Sequence, residues 1–194
     1  QPADKIKQTL SSLDINKPYI LFVGTIEPRK NIPFLIEVFE QLSEFDGLLV
    51  IAGMKGWKCD TIIERINKST RSKSIKWIKY IDDSSLPCIY SGAECFVIPS
   101  FYEGFGFPPL EAMACGTPVV SSAGGSLSEV LGNAALIINE FNTEIWKENL
   151  LKVINDSSLR KEMKEKGIKH ATVFKWETTA RKTINVLRLV ANPK

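Results

Sequence analysis

Cys95-Phe96-Val97-Ile98-Pro99-Ser100-Phe101-Tyr102-Glu103-Gly104-Phe105-Gly106-Phe107-Pro108-Pro109-Leu110-Glu111 is the stretch on which the fold turns. Its opening residues, Cys95 to Ile98, are apolar without alternation, the pattern of a strand buried on both faces. A glycine-rich loop flanked by Glu103 and Glu111 follows. The proline pair then starts a helix, Pro109–Cys115, that stops at Gly116. Strand, glycine loop and helix together make the unit of an open α/β sheet, which binds ligands at the carboxyl ends of its strands. Carboxylates at that edge grip hydroxyls, and glycines let backbone N–H groups approach a phosphate or sugar closely.

The same unit recurs on both sides of this stretch. Upstream, Tyr19–Val23 is a strand-length apolar run closed by Gly24. Asn31 then offers an N-cap, Pro33 sits in the first turn, and Ile32, Leu35, Ile36, Phe39 and Leu42 follow helical spacing. Leu48–Ala52 is a second buried-type strand, Cys59–Asn67 reads as a helix, and Ile75–Ile78 as a short strand. Asp82 and Asp83 open a helix that reaches Ser91. Downstream, Pro118–Ser121 is a strand before the Gly124-Gly125 turn, and Ala134–Ile138 is the last strand. Thr143–Lys169 make two helices parted near Asp156-Ser157, and Trp176, Ala180, Ile184, Leu187 and Ala191 mark the apolar stripe of a terminal helix. Trp57, Trp77, Trp146 and Trp176 fit ordinary packing. Residues 1–17 read as a polar lead-in or linker with a short helix around Ile6–Leu13, and residues 18–194 as one domain. Six apolar runs separated by helices predict a doubly wound, Rossmann-like parallel sheet.

Composition narrows the function. The chain has 194 residues, 44% hydrophobic and 24% charged, enough for a substantial core. Net charge is +3 with no concentrated basic stripe, which argues against nucleic-acid binding. The four cysteines, Cys59, Cys88, Cys95 and Cys115, lack ligand-like spacing and read as reduced thiols of a cytosolic protein. No apolar run reaches membrane-spanning length, and the first residues are too polar for a signal peptide. The chain opens on Gln1 rather than Met and reads as a piece of a longer polypeptide. Arg160, Lys161, Lys164, Lys166 and Lys169 give a basic helical face, read first as solvated and second as a peripheral membrane contact. His170, the single histidine, ends that segment and reads as a surface residue.

Three loops follow strands and so share one sheet edge: Gly24–Asn31, Glu103–Glu111 and Ala123–Ser126. Arg29 and Lys30 precede a helix start, where free N–H groups and the helix dipole favour an anion. Arginine adds a planar fork for phosphate oxygens and lysine a mobile point charge. Alone, the pair reads equally well as a solvated loop. With the glycines and carboxylates at the same edge, it reads as a diphosphate site. Glu111 alone also fits a carboxylate offsetting a helix dipole in the first turn. Phe101, Tyr102, Phe105 and Phe107 either line a pocket or pack the loop.

Taken in order, these motifs resemble the C-terminal half of a retaining glycosyltransferase of the GT-B fold, family 4 or group 1. The carriers are Phe22-Val23-Gly24-Thr25-Ile26-Glu27-Pro28-Arg29-Lys30-Asn31, and Pro99-Ser100 with the Glu-x7-Glu signature from Glu103 to Glu111. Ala112-Met113-Ala114-Cys115-Gly116-Thr117-Pro118-Val119-Val120, Gly124-Gly125 with Glu129-Val130, and Phe174-Lys175-Trp176-Glu177 complete it. The resemblance covers Tyr19 to about Ile184.

It implies that Arg29 and Lys30 bind the diphosphate of a nucleotide sugar and stabilise its charge as the sugar leaves. Glu103 would contact donor-sugar hydroxyls, and the amides of Gly104, Phe105, Gly106 and Phe107 would lie near sugar and phosphate. Glu111 would accept hydrogen bonds from the ribose, and Gly24 would let the nucleotide approach. Trp77–Ile81 would border the base, although relatives often carry glycine at the place of Lys79. No metal or other cofactor is implied. The donor would be GDP-linked, with GDP-mannose first, or UDP-linked, and the acceptor a polysaccharide or lipid-linked oligosaccharide recognised by an N-terminal domain. The isolated chain would bind nucleotide weakly and transfer no sugar. The setting would be cytoplasmic, with the inner face of the membrane as a candidate location. A nucleotide-sugar epimerase or hydrolase of the same fold and a non-catalytic nucleotide-sugar-binding module are the other readings. A Rossmann dehydrogenase is disfavoured because no Gly-x-Gly-x-x-Gly follows the first strand.

Overall fold

A computed structural model describes residues 1–191. The six apolar runs form strands β1 (Tyr19–Val23), β2 (Leu48–Ala52), β3 (Ile75–Ile78), β4 (Cys95–Ile98), β5 (Val119–Ser122) and β6 (Leu136–Ile138). They make one sheet in the order β3-β2-β1-β4-β5-β6, and every pair is parallel. Leu21 lies opposite both Val50 and Phe96, so β1 is central and buried on both edges. The order reverses between β1 and β4, the switch point at which an open α/β sheet leaves a crevice.

The helices are α1 (Ala3–Ser12), α2 (Ile32–Gln41), α3 (Asp60–Asn67), α4 (Leu86–Ser91), α5 (Phe107–Ala114), α6 (Leu127–Leu131), α7 (Thr143–Asn155), α8 (Ser157–Ala171) and α9 (Trp176–Ala191). Two cores lie on opposite faces of the sheet because successive strand side chains point opposite ways. Ile20, Phe22, Leu49, Ile51, Cys95 and Val97 pack with α2, α3 and α7, through Phe39, Ile62 and Trp146. Tyr19, Leu21, Val50, Phe96 and Ile98 pack with α4, α5 and α6, through Ile89, Met113 and Leu127. Trp146 is fully buried and its Nε1–H donates to the Glu140 carbonyl at 2.8 Å, so the largest core side chain leaves no orphan donor.

Several expectations need correction. Asn31 stands before α2 but caps nothing with its side chain. It takes a left-handed φ of 52° to leave a 3-10 turn at Pro28–Lys30. Asp82 belongs to a turn, where Oδ1 accepts from the Ser85 N–H at 2.9 Å, and α4 begins only at Leu86. α6 was hidden by the glycine turn before it, and β6 is only three residues long because a 3-10 turn takes up Gly132–Ala134. The short helix expected in residues 1–17 is α1, and Leu10, Leu13 and Ile15 pack on the second core. α9 buries none of its residues, so the expected stripe faces water. Trp57 and Trp176 are likewise exposed.

Candidate active site

Backbone geometry at the carboxyl edge brings the three predicted loops together. The Gly24 N–H donates to Ala52 and the Gly53 N–H to Ile78, each at 2.9 Å, which carries the ladder one residue past the strands. A Cβ at Gly53 would lie 1.9 Å from the Gly24 carbonyl oxygen, so the first two loops touch only because that position is glycine. The Phe101 N–H donates to the Arg29 carbonyl at 2.9 Å, tying the loop after β1 to the loop after β4. Glu103 forms a parallel bridge with Gly125, and Ser126 donates to the Glu103 carbonyl through both N–H and Oγ, each at 3.0 Å. Gly125 has φ +65°, and a Cβ there would lie 2.3 Å from the same carbonyl oxygen.

These contacts hold a charge cluster. Glu103 Oε1 accepts from Lys30 Nζ at 2.7 Å and from Ser100 Oγ at 2.6 Å, while Oε2 accepts from Arg29 at 2.7 Å. The Lys30 and Glu103 side chains are each only 8% exposed. Arg29 is more open, and its guanidinium also donates to Glu27 Oε1 at 2.5 Å and to the Tyr102 carbonyl at 2.6 Å. Burial by itself would raise the Glu103 pKa, but the bonds from Lys30, Ser100 and Arg29 outweigh it and hold the carboxyl below its ordinary value. Burial likewise opposes the charge on Arg29, and the two carboxylates outweigh that to raise its pKa. The cluster thus sets two cations, Arg29 and Lys30, against two carboxylates, Glu27 and Glu103, through charge-assisted hydrogen bonds.

The other predicted residues distribute around it. Gly24 lies beside Lys30, since a Cβ there would be 3.6 Å from Nζ. Gly104 faces open space, whereas Gly106 is the left-handed N-cap of α5. The Phe105 and Phe107 rings lie 4.8 Å apart and turn toward the α8–α9 junction, where they meet Phe174 and Trp176. A hollow of about 420 Å³ lies among them, bounded also by Leu110 and Glu111. Glu111 is exposed on α5 and is not bonded to the charge cluster; its Oε2 accepts from the Tyr90 hydroxyl at 2.8 Å.

Sequence reasoning assigned no role to Ser100, Glu27, Ser126 or Tyr90. Ser100 and Glu27 had a signal in their distance of three residues from Glu103 and two from Arg29. Tyr90 and Ser126 meet their partners only through the fold. His170 is half-buried: its Nε2 lies 2.7 Å from the Val130 carbonyl, joining α8 to α6. Among the described residues no group of three or more His, Cys, Asp or Glu is gathered for a metal. No helix among them is long and apolar enough to cross a membrane. A separate shallow hollow of about 600 Å³, between Glu148 and Ser157 at the α7–α8 junction, contains none of the predicted site residues.

The O-antigen chain mannosyltransferase B of Escherichia coli is 38% identical over 175 residues, 89% of this chain and 46% of that protein. The serotype-specific mannosyltransferase WbdA of Escherichia coli is 28% identical over 183 residues, 92% of this chain and 22% of its own length. The chain therefore spans less than half of these relatives. The fold matches Anabaena HepE, solved in complex with UDP-glucose, with a TM-score of 0.87 at 16% identity, over 97% of this chain and 53% of that one. A family model, glycosyl transferases group 1, matches residues 5–170. A parallel sheet with its charged loops on one edge, and a family match over most of its length, place this chain among the group 1 glycosyl transferases.

Proposed function

We propose that this chain is the donor-binding half of a retaining hexosyltransferase that takes mannose from GDP-mannose. The acceptor is a polysaccharide or lipid-linked oligosaccharide, held by a further domain at the cytoplasmic face of a membrane. The observation that carries this reading is the Arg29–Lys30–Glu103 cluster at the switch point of the sheet. Mannose is favoured because the two Escherichia coli relatives are named as mannosyltransferases. A UDP-sugar is the second candidate, because HepE was solved with UDP-glucose.

In this reading the diphosphate lies against Arg29 and Lys30. As the bond between sugar carbon and phosphate oxygen breaks, negative charge grows on that oxygen beside two cations already in place. Preorganised charge of this kind supplies much of the barrier lowering in such reactions. No metal takes part. Glu103 accepts from donor-sugar hydroxyls, the amides of Gly104–Phe107 line sugar and phosphate, and Glu111 accepts from the ribose. A hollow of about 340 Å³ lined by Leu86, Tyr90 and Glu111 shares Leu86 with one of about 150 Å³ lined by Val23, Gly53 and Tyr80. In this reading the ribose sits on Glu111 and the base points toward the second hollow, whose lining includes Lys79, Tyr80 and Ile81.

The test is a thermal-shift panel of GDP-, UDP- and ADP-sugars on the full-length protein, followed by a transfer assay. A ligand that binds only the folded state raises apparent stability. GDP-mannose is expected to give the largest rise, and the Arg29→Ala/Lys30→Ala variant neither rise nor transfer. The isolated chain is expected to bind and not to transfer. The proposal fails if no nucleotide sugar shifts the wild type, or if the variant responds equally.

A further inference from the structure

We infer that Tyr90 is a positioning residue for the nucleotide ribose: its phenol holds the Glu111 carboxylate in the orientation that receives the ribose diol. This rests on the ribose role proposed for Glu111 and adds the group that makes Glu111 selective. Tyr90 lies on α4, is 1% exposed, and is fixed from several directions. Its carbonyl accepts from Thr117 Oγ1 at 2.6 Å and its ring centroid lies 5.8 Å from that of Phe96. Its hydroxyl reaches out of this core to donate to Glu111 Oε2 at 2.8 Å.

Glu111, by contrast, is exposed, and nothing else bonds its carboxylate among the described residues. An untethered glutamate loses rotamer freedom when it takes up a ligand. With Oε2 anchored, that loss has already occurred on folding. Burial and the neighbouring Glu111 charge raise the phenol pKa, so the hydroxyl keeps its proton and stays a donor. An ionised carboxylate only accepts, with about four lone-pair sites on its two oxygens. The phenol occupies one of these. Oε1 and the free side of Oε2 remain, and Tyr90 and Glu111 border the same hollow of about 340 Å³. A vicinal diol presents two O–H donors side by side and matches that pair of acceptors. A deoxyribose presents one.

Calorimetric titration of the full-length protein with GDP and UDP, and with their 2′-deoxy forms, tests this. The wild type is expected to prefer the ribonucleotide by roughly tenfold, the scale of one hydrogen bond to a charged group. Tyr90→Phe keeps the buried ring and should cut that preference to about twofold, with deoxynucleotide affinity little changed. Glu111→Gln should reduce the preference as well, and the double variant no further. A Tyr90→Phe protein that loses affinity for both forms by the same factor, and so keeps the wild-type ratio, overturns the inference, because a merely structural tyrosine would act on both ligands alike. A wild type that binds nucleotides without telling ribose from deoxyribose refutes the role of Glu111 itself, and the inference with it. Should Tyr90→Phe not fold, a crystal structure of the wild type with GDP decides. The phenol is expected within hydrogen-bond reach of Glu111 while the diol sits on that carboxylate, and a phenol bonded elsewhere overturns the inference.

Discussion

Replacing Lys30 by methionine removes a cation of the charge cluster while keeping most of the side-chain volume. At an effective dielectric of about 20, unit charges 2.7 Å apart attract by about 6 kcal/mol. Withdrawing both ions from water costs several kcal/mol each, so the intact pair is close to neutral in net stability. The single variant is different. Glu103 keeps its desolvation cost and loses one of its two cations, with Arg29 and Ser100 as partial compensation. Breaking a buried pair typically costs about 3 to 5 kcal/mol, and the residual partners place Lys30→Met near 3 kcal/mol. An internal control exists. Lys166 and Glu162 are 2.6 Å apart but 52% and 59% exposed, so Lys166→Met should cost less than about 0.5 kcal/mol. Urea denaturation of Lys30→Met, Glu103→Gln and the double variant measures the coupling. The double variant should be less destabilised than the sum of the singles by more than about 1 kcal/mol. Additive singles, or a Lys30→Met cost no larger than that of Lys166→Met, would refute the claim that burial makes this cluster sensitive.

Further expectations follow from other contacts. Gly53→Ala should destabilise by about 2 kcal/mol or more, since its Cβ would overlap the Gly24 carbonyl, whereas Gly104→Ala should stay within about 0.5 kcal/mol; thermal melts compare them. Glu40 is held at a pKa of about 2, chiefly by the Arg65 guanidinium that grips both its oxygens. Because the folded pKa lies below the unfolded one, this stabilisation is full above about pH 4.5 and disappears as pH falls toward 2. Arg65→Met should flatten that part of the stability–pH curve, and an unchanged slope counts against the pairing. Arg29→Lys should lower transfer by the full-length protein at least tenfold, because a point charge does not replace a fork, and steady-state kinetics would show it.

Much of this fold was legible because β1, β2 and β4 are apolar on both faces, a signal needing no tertiary information. Arg29, Lys30 and Glu103 were legible for a related reason. A parallel sheet puts every post-strand loop at one end, so adjacency in space follows from topology. Their partners were not all legible. The Tyr90 hydroxyl meets Glu111 because α4 and α5 pack side by side, and that spacing leaves no periodic trace. Asn31 misled because asparagine suits both an N-cap and a left-handed turn, and only the 3-10 turn before α2 chooses between them. The stripe on α9 was legible, but not its surroundings: amphipathic periodicity reports that a face is apolar, not what covers it, and α9 buries none of its residues.

The bridge between Glu103 and Gly125 has a practical meaning for redesign. Segments distant in the chain are spliced into one rigid frame, so they are not interchangeable parts. Grafting the glutamate-bearing segment from a cousin with another sugar preference would import an acid without its scaffold. A successful transplant has to move Gly24–Asn31, Pro99–Glu111 and Ala123–Ser126 as a single cassette.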